Sequence, residues 1–155
     1  MTENLQIIQT KLIHLDRMEA YLRYSLSQVA NFLPLQDWTL LTPDQHESLA
    51  AFRVRFSEFQ EHIGKTMRAV AVEEEQEVER FGAVLAFMER LKVLDTAAHW
   101  KEIRELRNAV NHDNADDSIR LAEFFDLLMA EVPVLFGYLY RLKVFCVGNY
   151  SLYLG

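Results

Sequence analysis

Apolar residues recur at threes and fours along nearly the whole chain, the spacing that gives a helix one buried face. Leu5, Ile8, Leu12, Leu15, Leu22, Leu26 and Val29 follow it, with Glu19 in the one gap. They predict an amphipathic helix of about seven turns, ended by Pro34. Residues 35–43 read as a loop anchored by Trp38, and Thr42 or Asp44 can cap a second helix with Pro43 in its first turn. That helix carries Phe52, Phe56, Phe59, Ile63, Met67 and Val70.

A third helix shows Phe81, Leu85, Met88 and Leu91, and after Asp95-Thr96 a fourth shows Trp100, Ile103, Leu106 and Val110. Asp116 or Asp117 can cap a last long helix bearing Ile119, Phe125, Leu128, Val132, Leu135, Leu139, Leu142 and Phe145. Pro133 inside it predicts a kink or bend near Met129. Residues 148–155 read as a loose tail, and the five glutamates between Glu73 and Glu79 as a solvated turn. No stretch alternates strictly, no repeat recurs and no linker divides the chain. The expectation is one all-α domain over residues 1–155, an up-and-down bundle of four to five helices whose apolar stripes are core.

Composition narrows the function classes. At 155 residues the chain is long enough to bury a sizeable core, and only 5 Gly and 3 Pro leave few tight turns. A net charge of −7 argues against sequence-blind binding to DNA, which needs a basic face, but leaves room for a local phosphate site. Cys146 stands alone, so no internal disulfide forms, and a reducing, cytoplasmic setting is expected. The first residues lack a basic-then-apolar leader, and the most apolar stretch, 132–139, falls far short of the roughly 18 residues of a membrane span.

Candidate chemistry is concentrated in Arg107-Asn108-Ala109-Val110-Asn111-His112. A guanidinium binds phosphate through a planar fork of donors, and a histidine exchanges a proton near neutral pH. Asn108 and His112, four apart, share a helix face; Arg107 and His112 lie about 140° apart on a straight helix. They converge only if the helix bends or unwinds before His112, if a phosphate bridges them, or if a second copy of the chain brings them together. Otherwise Arg107 pairs with Glu105 or another acidic neighbour and His112 ends a helix, where its positive form suits the dipole.

Other patterns are weaker. Residues 113–117 begin like a calcium loop but lack its central glycine, and Phe124 occupies the place of the bidentate Glu. His46-Glu47 begins like a zinc-protease helix, but Ala50 stands where the second histidine belongs. His14, His62 and His99 have no ligand-like spacing, so neither a metal nor a cofactor is expected.

The segment Trp100-Lys101-Glu102-Ile103-Arg104-Glu105-Leu106-Arg107-Asn108-Ala109-Val110-Asn111-His112 resembles the signature of the HEPN superfamily: Arg, four to six residues, then His, often with a polar residue after the Arg. Looser likeness extends over the aromatic second helix, the third helix and Tyr140-Arg141-Leu142-Lys143 with Asn149-Tyr150. The resemblance implies a small helical bundle that dimerises with two motifs in one cleft. It implies a metal-independent ribonuclease, with Arg107 and His112 catalytic and Asn108 supporting. It implies RNA as substrate, and a toxin paired with a minimal nucleotidyltransferase (MNT) antitoxin. The alternative within the family is a non-catalytic substrate- or nucleotide-binding subunit of a nucleotidyltransferase complex. Where the antitoxin-paired subgroup often continues His, any residue, Tyr, this chain has Asn114, so the tyrosine that such partners can modify is missing.

Overall fold

The computed structural model describes residues 1–109 and 117–152, and among them every regular element is helical. Five α-helices occur: α1 (Glu3–Ala30), α2 (Pro43–Glu73), α3 (Phe81–Arg90), α4 (Ala97–Arg107) and α5 (Ser118–Tyr150), with a 3₁₀ turn at Trp38–Leu40. The all-helical bundle read from the sequence is the observed fold class.

Side-chain caps set most of the starts. The Thr2 hydroxyl accepts from Leu5 N and Thr96 from His99 N. Thr42 and Gln45 form a reciprocal capping box with Pro43 in the first turn, and Asp117 accepts from Arg120 N. Of the caps left open by the sequence, Thr42 and Asp117 are thus the ones used. α2 and α3 close alike: Gln76 N donates to Ala71 O after Glu75 at φ 56°, and Val93 N to Met88 O after Lys92 at φ 61°.

The three long helices form the frame. Asn4 at the start of α1 donates to Ala69 O and Glu73 near the end of α2, and Tyr21 lies under Arg55, so the two run antiparallel. α5 runs with α2: Phe125 packs near Phe52, Phe136 meets Phe59, and Tyr150 donates to Glu74. Phe52, Phe56, Phe59, Ile63, Met67 and Val70 are all fully buried between them, each large side chain contributing about 1.5–3 kcal/mol. Trp38 anchors its loop by stacking on Phe125 at 5.5 Å. Cys146 is buried, and burial, helped by Glu74, pushes its thiol up to about 12, so it acts as a small hydrophobe. No described helix is long and apolar enough to cross a membrane.

Four boundaries differ from the expectation. α1 stops at Ala30, short of Pro34. Residues 148–150 are not loose: α5 continues through them, Tyr150 meets the Phe145 ring at 5.9 Å and Leu152 is buried. The Tyr150 hydroxyl also donates to Glu74, a partner too distant in sequence to be read locally. The glutamate run is only partly solvated, because Glu73 and Glu74 accept from Asn4 and Tyr150. α4 begins before Trp100, at Ala97, and ends at Arg107, before Val110. Pro133 sits inside α5 without ending it.

Candidate functional site

α4 is short, and two neighbours hold it. On the α2 side, Gln60 Nε2 donates to the Trp100 carbonyl at 3.0 Å and Arg107 Nη1 donates to the Ser57 carbonyl at 2.7 Å. On the α5 side, His99 Nε2 meets Glu131 Oε2 at 2.9 Å. With that nitrogen donating to the carboxylate, Nδ1 is left to accept from the Tyr138 hydroxyl at 3.4 Å. Burial first, then Asp95 and Glu131, push the Tyr138 phenol up to about 12 against the opposing pull of Arg141, so it stays a neutral donor. The sequence offered no sign of this brace, because His99 and Glu131 are 32 residues apart.

The helix ends at the motif. Asn108 follows Arg107 at φ −102°, ψ −1°, and tighter bonds from Asn108 N to Glu105 O and Ala109 N to Leu106 O close the last turn. The straight-helix angle between Arg107 and a residue five positions on therefore does not apply. Asn108 is exposed. His112 lies outside the described residues, as do Val110, Asn111, Asp113, Asn114 and Asp116, and with them most of the calcium-like run. Asp117, at the end of that run, is occupied as the α5 cap.

Arg107 does not pair with Glu105. It is half-buried and opens on a cavity of about 230 Å³ lined by Gln60, Glu61, Gly64, Lys65, Arg68, Phe81, Trp100, Arg104 and Arg107. Burial lowers the Arg107 pKa from its ordinary value, Arg104 adds to that and Glu61 opposes it; a guanidinium remains charged at neutral pH regardless. Four cations thus face one carboxylate, in a chain whose net charge is −7.

Of this set, sequence reasoning singled out only Arg107 as a site residue. The legible signal was the pair of i,i+3 cation spacings, Lys65/Arg68 and Arg104/Arg107, each of which puts two charges on one helix face. Gly64 is why the aromatic wall stands so close: a Cβ there would meet Phe81 Cζ at 3.2 Å and Trp100 Cζ2 at 3.4 Å. Gln60, 1 % exposed, also lines the cavity, and its Oε1 has no partner among the described residues. No cluster of three or more metal-ligating side chains occurs among the described residues.

Next to the cavity on α2, His62 packs edge-on to His14 at 5.5 Å. Burial, then Lys65, His14 and Lys11, lower its pKa below 6.5, with Glu61 pulling the other way. The unfolded chain therefore takes up this proton first as pH falls. The His62 contribution is complete above about pH 6.5 and is lost as pH drops through that value toward the lowered folded one. Denaturant midpoints measured between about pH 7.5 and 5.5 should fall less steeply in His62→Gln than in the wild type; parallel curves would show that His62 does not carry the effect.

No family model matches the chain, and no curated protein or solved structure matches it either.

Proposed function

We infer that this chain is a metal-independent endoribonuclease of the HEPN type. We further infer that it is the toxin of a toxin–antitoxin pair with a minimal nucleotidyltransferase, and that it acts as a homodimer whose two motifs share a cleft. One observation carries the catalytic part: Arg107, the first residue of the Arg-x4-His motif, opens on a cavity that collects three further cations. The all-helical bundle is the architecture the resemblance implies.

The chemistry is transesterification. The ribose 2′-oxygen attacks the adjacent phosphorus, the 2′-O–P bond forms and the bond to the 5′-oxygen breaks. The products are a 2′,3′-cyclic phosphate and a free 5′-hydroxyl. His112 takes the proton from the 2′-oxygen or returns one to the leaving 5′-oxygen. Arg107 neutralises the charge gained by five-coordinate phosphorus, and Asn108 orients the phosphate or the imidazole. DNA, lacking the 2′-hydroxyl, is not cut by this route.

RNA incubated with the purified chain in EDTA should acquire cyclic-phosphate ends, and His112→Ala should slow this by about 10²–10⁴. If the wild type leaves no such ends on any RNA tested, the enzyme reading fails. The same cavity also favours a second reading, because cations and an aromatic wall can hold a nucleotide without cutting anything. In that reading the chain is a non-catalytic substrate- or nucleotide-binding subunit of a nucleotidyltransferase complex. Co-purification with a nucleotidyltransferase, with biological behaviour unchanged in Arg107→Ala/His112→Ala, would favour it.

A further inference from the structure

We propose that Lys65 and Arg68 of α2 and Arg104 of α4 form a phosphate-binding subsite beside Arg107 that grips single-stranded RNA next to the phosphate being cut. For its substrate this rests on the ribonuclease reading above.

The charge count is the first argument. A phosphodiester carries one negative charge, and Arg107 alone can match it. Of the three further cations one is offset by Glu61, and the remaining two charges still exceed what one cleaved phosphate needs and suit a neighbouring phosphate of a strand. The surrounding protein is acidic, so this concentration of positive charge is local.

The second argument is that the fold makes little use of these cations. Arg104 is exposed and makes no hydrogen bond or ion pair with any described residue. Lys65 meets Glu61 at 3.5 Å, but both side chains are more than half exposed, and such pairs contribute little. Arg68 lies over the Phe81 ring at 5.3 Å and makes no hydrogen bond or ion pair with any described residue. Like charges held together this way repel until an anion arrives. Arg104 and Arg107 stand in the last turn of α4, where the dipole favours cations and disfavours anions, so further cations from α2 are needed before an anion is held there.

The third argument concerns the form of the nucleic acid. Phe81 is only half-buried, and its ring forms part of the cavity wall. Arg68 covers one face of that ring, so an unpaired base reaches it only beside the guanidinium or in its place, whereas a duplex keeps its bases stacked inside and reaches it in neither way.

The test uses the full chain and a 2′-O-methyl RNA oligonucleotide, which lacks the nucleophile and so reports binding without turnover. Binding to the wild type should weaken with salt. Arg104→Gln and Lys65→Gln/Arg68→Gln should each weaken it about tenfold or more, and the salt slope should flatten by about 0.7 for each phosphate no longer neutralised. Lys101→Gln, an exposed α4 cation outside the cavity, should bind as the wild type does. All these side chains are exposed, so thermal midpoints near the wild-type value should accompany the weaker binding.

Unchanged affinity and slope in both cavity variants would overturn the proposal, as would a duplex bound as tightly as the single strand, or no binding by the wild type. The two readings fail separately. Cavity-dependent binding without cleavage of native RNA sinks the ribonuclease and leaves the subsite. Cleavage with KM unchanged in Arg104→Gln sinks the subsite and leaves the ribonuclease.

Discussion

Arg107→Ala is expected to lower RNA cleavage by about 10²–10³, the cost of removing one preorganised donor from a charge that develops in the transition state. Its effect on stability should be moderate. The hydrogen bond it removes runs from the charged Nη1 to the Ser57 carbonyl, which lies inside α2, and a bond of this type contributes about 1.5–3 kcal/mol. Arg107→Lys separates charge from shape. Lysine keeps the positive charge but not the planar fork, so most of the rate should vanish here too. Single-turnover rates with saturating RNA, read beside thermal midpoints, decide the matter. Should both variants cleave normally while their midpoints drop, Arg107 is only a strut between α4 and α2.

The local devices of this fold were legible and the crossings were not. The stripe Leu5 to Val29 and the run Phe52 to Val70 marked the buried faces of α1 and α2, because a 3.6-residue period has no other economical use. Thr42 and Asp117 announced two helix starts because their oxygens satisfy orphan backbone donors within three residues. The cavity is different. Lys65 and Arg68 precede Arg104 by more than thirty residues, and their convergence depends on how closely α4 approaches α2. That distance is set by Gly64, by Gln60 bonding the Trp100 carbonyl, and by the His99–Glu131 pair behind. No sequence period encodes it.

The extent of α4 departs from its apolar pattern for a related reason. Val110 continues the spacing of Ile103 and Leu106, yet the helix closes at Arg107 with bonds of the tighter i→i−3 type. The helix does not run on through Asn108 and Ala109, so the roughly 140° separation of a straight helix is no constraint from the Arg107 side; His112 itself lies outside the described residues.

Trp100→Ala should be the most destabilising single change near the site, by about 3–5 kcal/mol. Trp100 is 2 % exposed, its ring lies 6.2 Å from Tyr138 and 6.5 Å from Phe81, and its edge faces Gly64. Truncation removes a side chain that packs near all three, and α2 cannot move in to fill the space while α1 and α5 hold its other faces. The Gln60 bond survives, since it ends on the backbone carbonyl, so the variant isolates packing. For a domain of this size the melting midpoint should fall by roughly 6–20 °C. Binding should weaken too, because Arg104 and Arg107 are presented to the cavity by the helix that Trp100 seats. Trp100→Phe keeps a ring in place and should recover much of both effects. Denaturant unfolding with an unchanged m value would attribute the destabilisation to the native state. A drop below about 1 kcal/mol would mean that α4 is not seated through Trp100, and that the cavity depends on the Arg107–Ser57 and His99–Glu131 contacts instead.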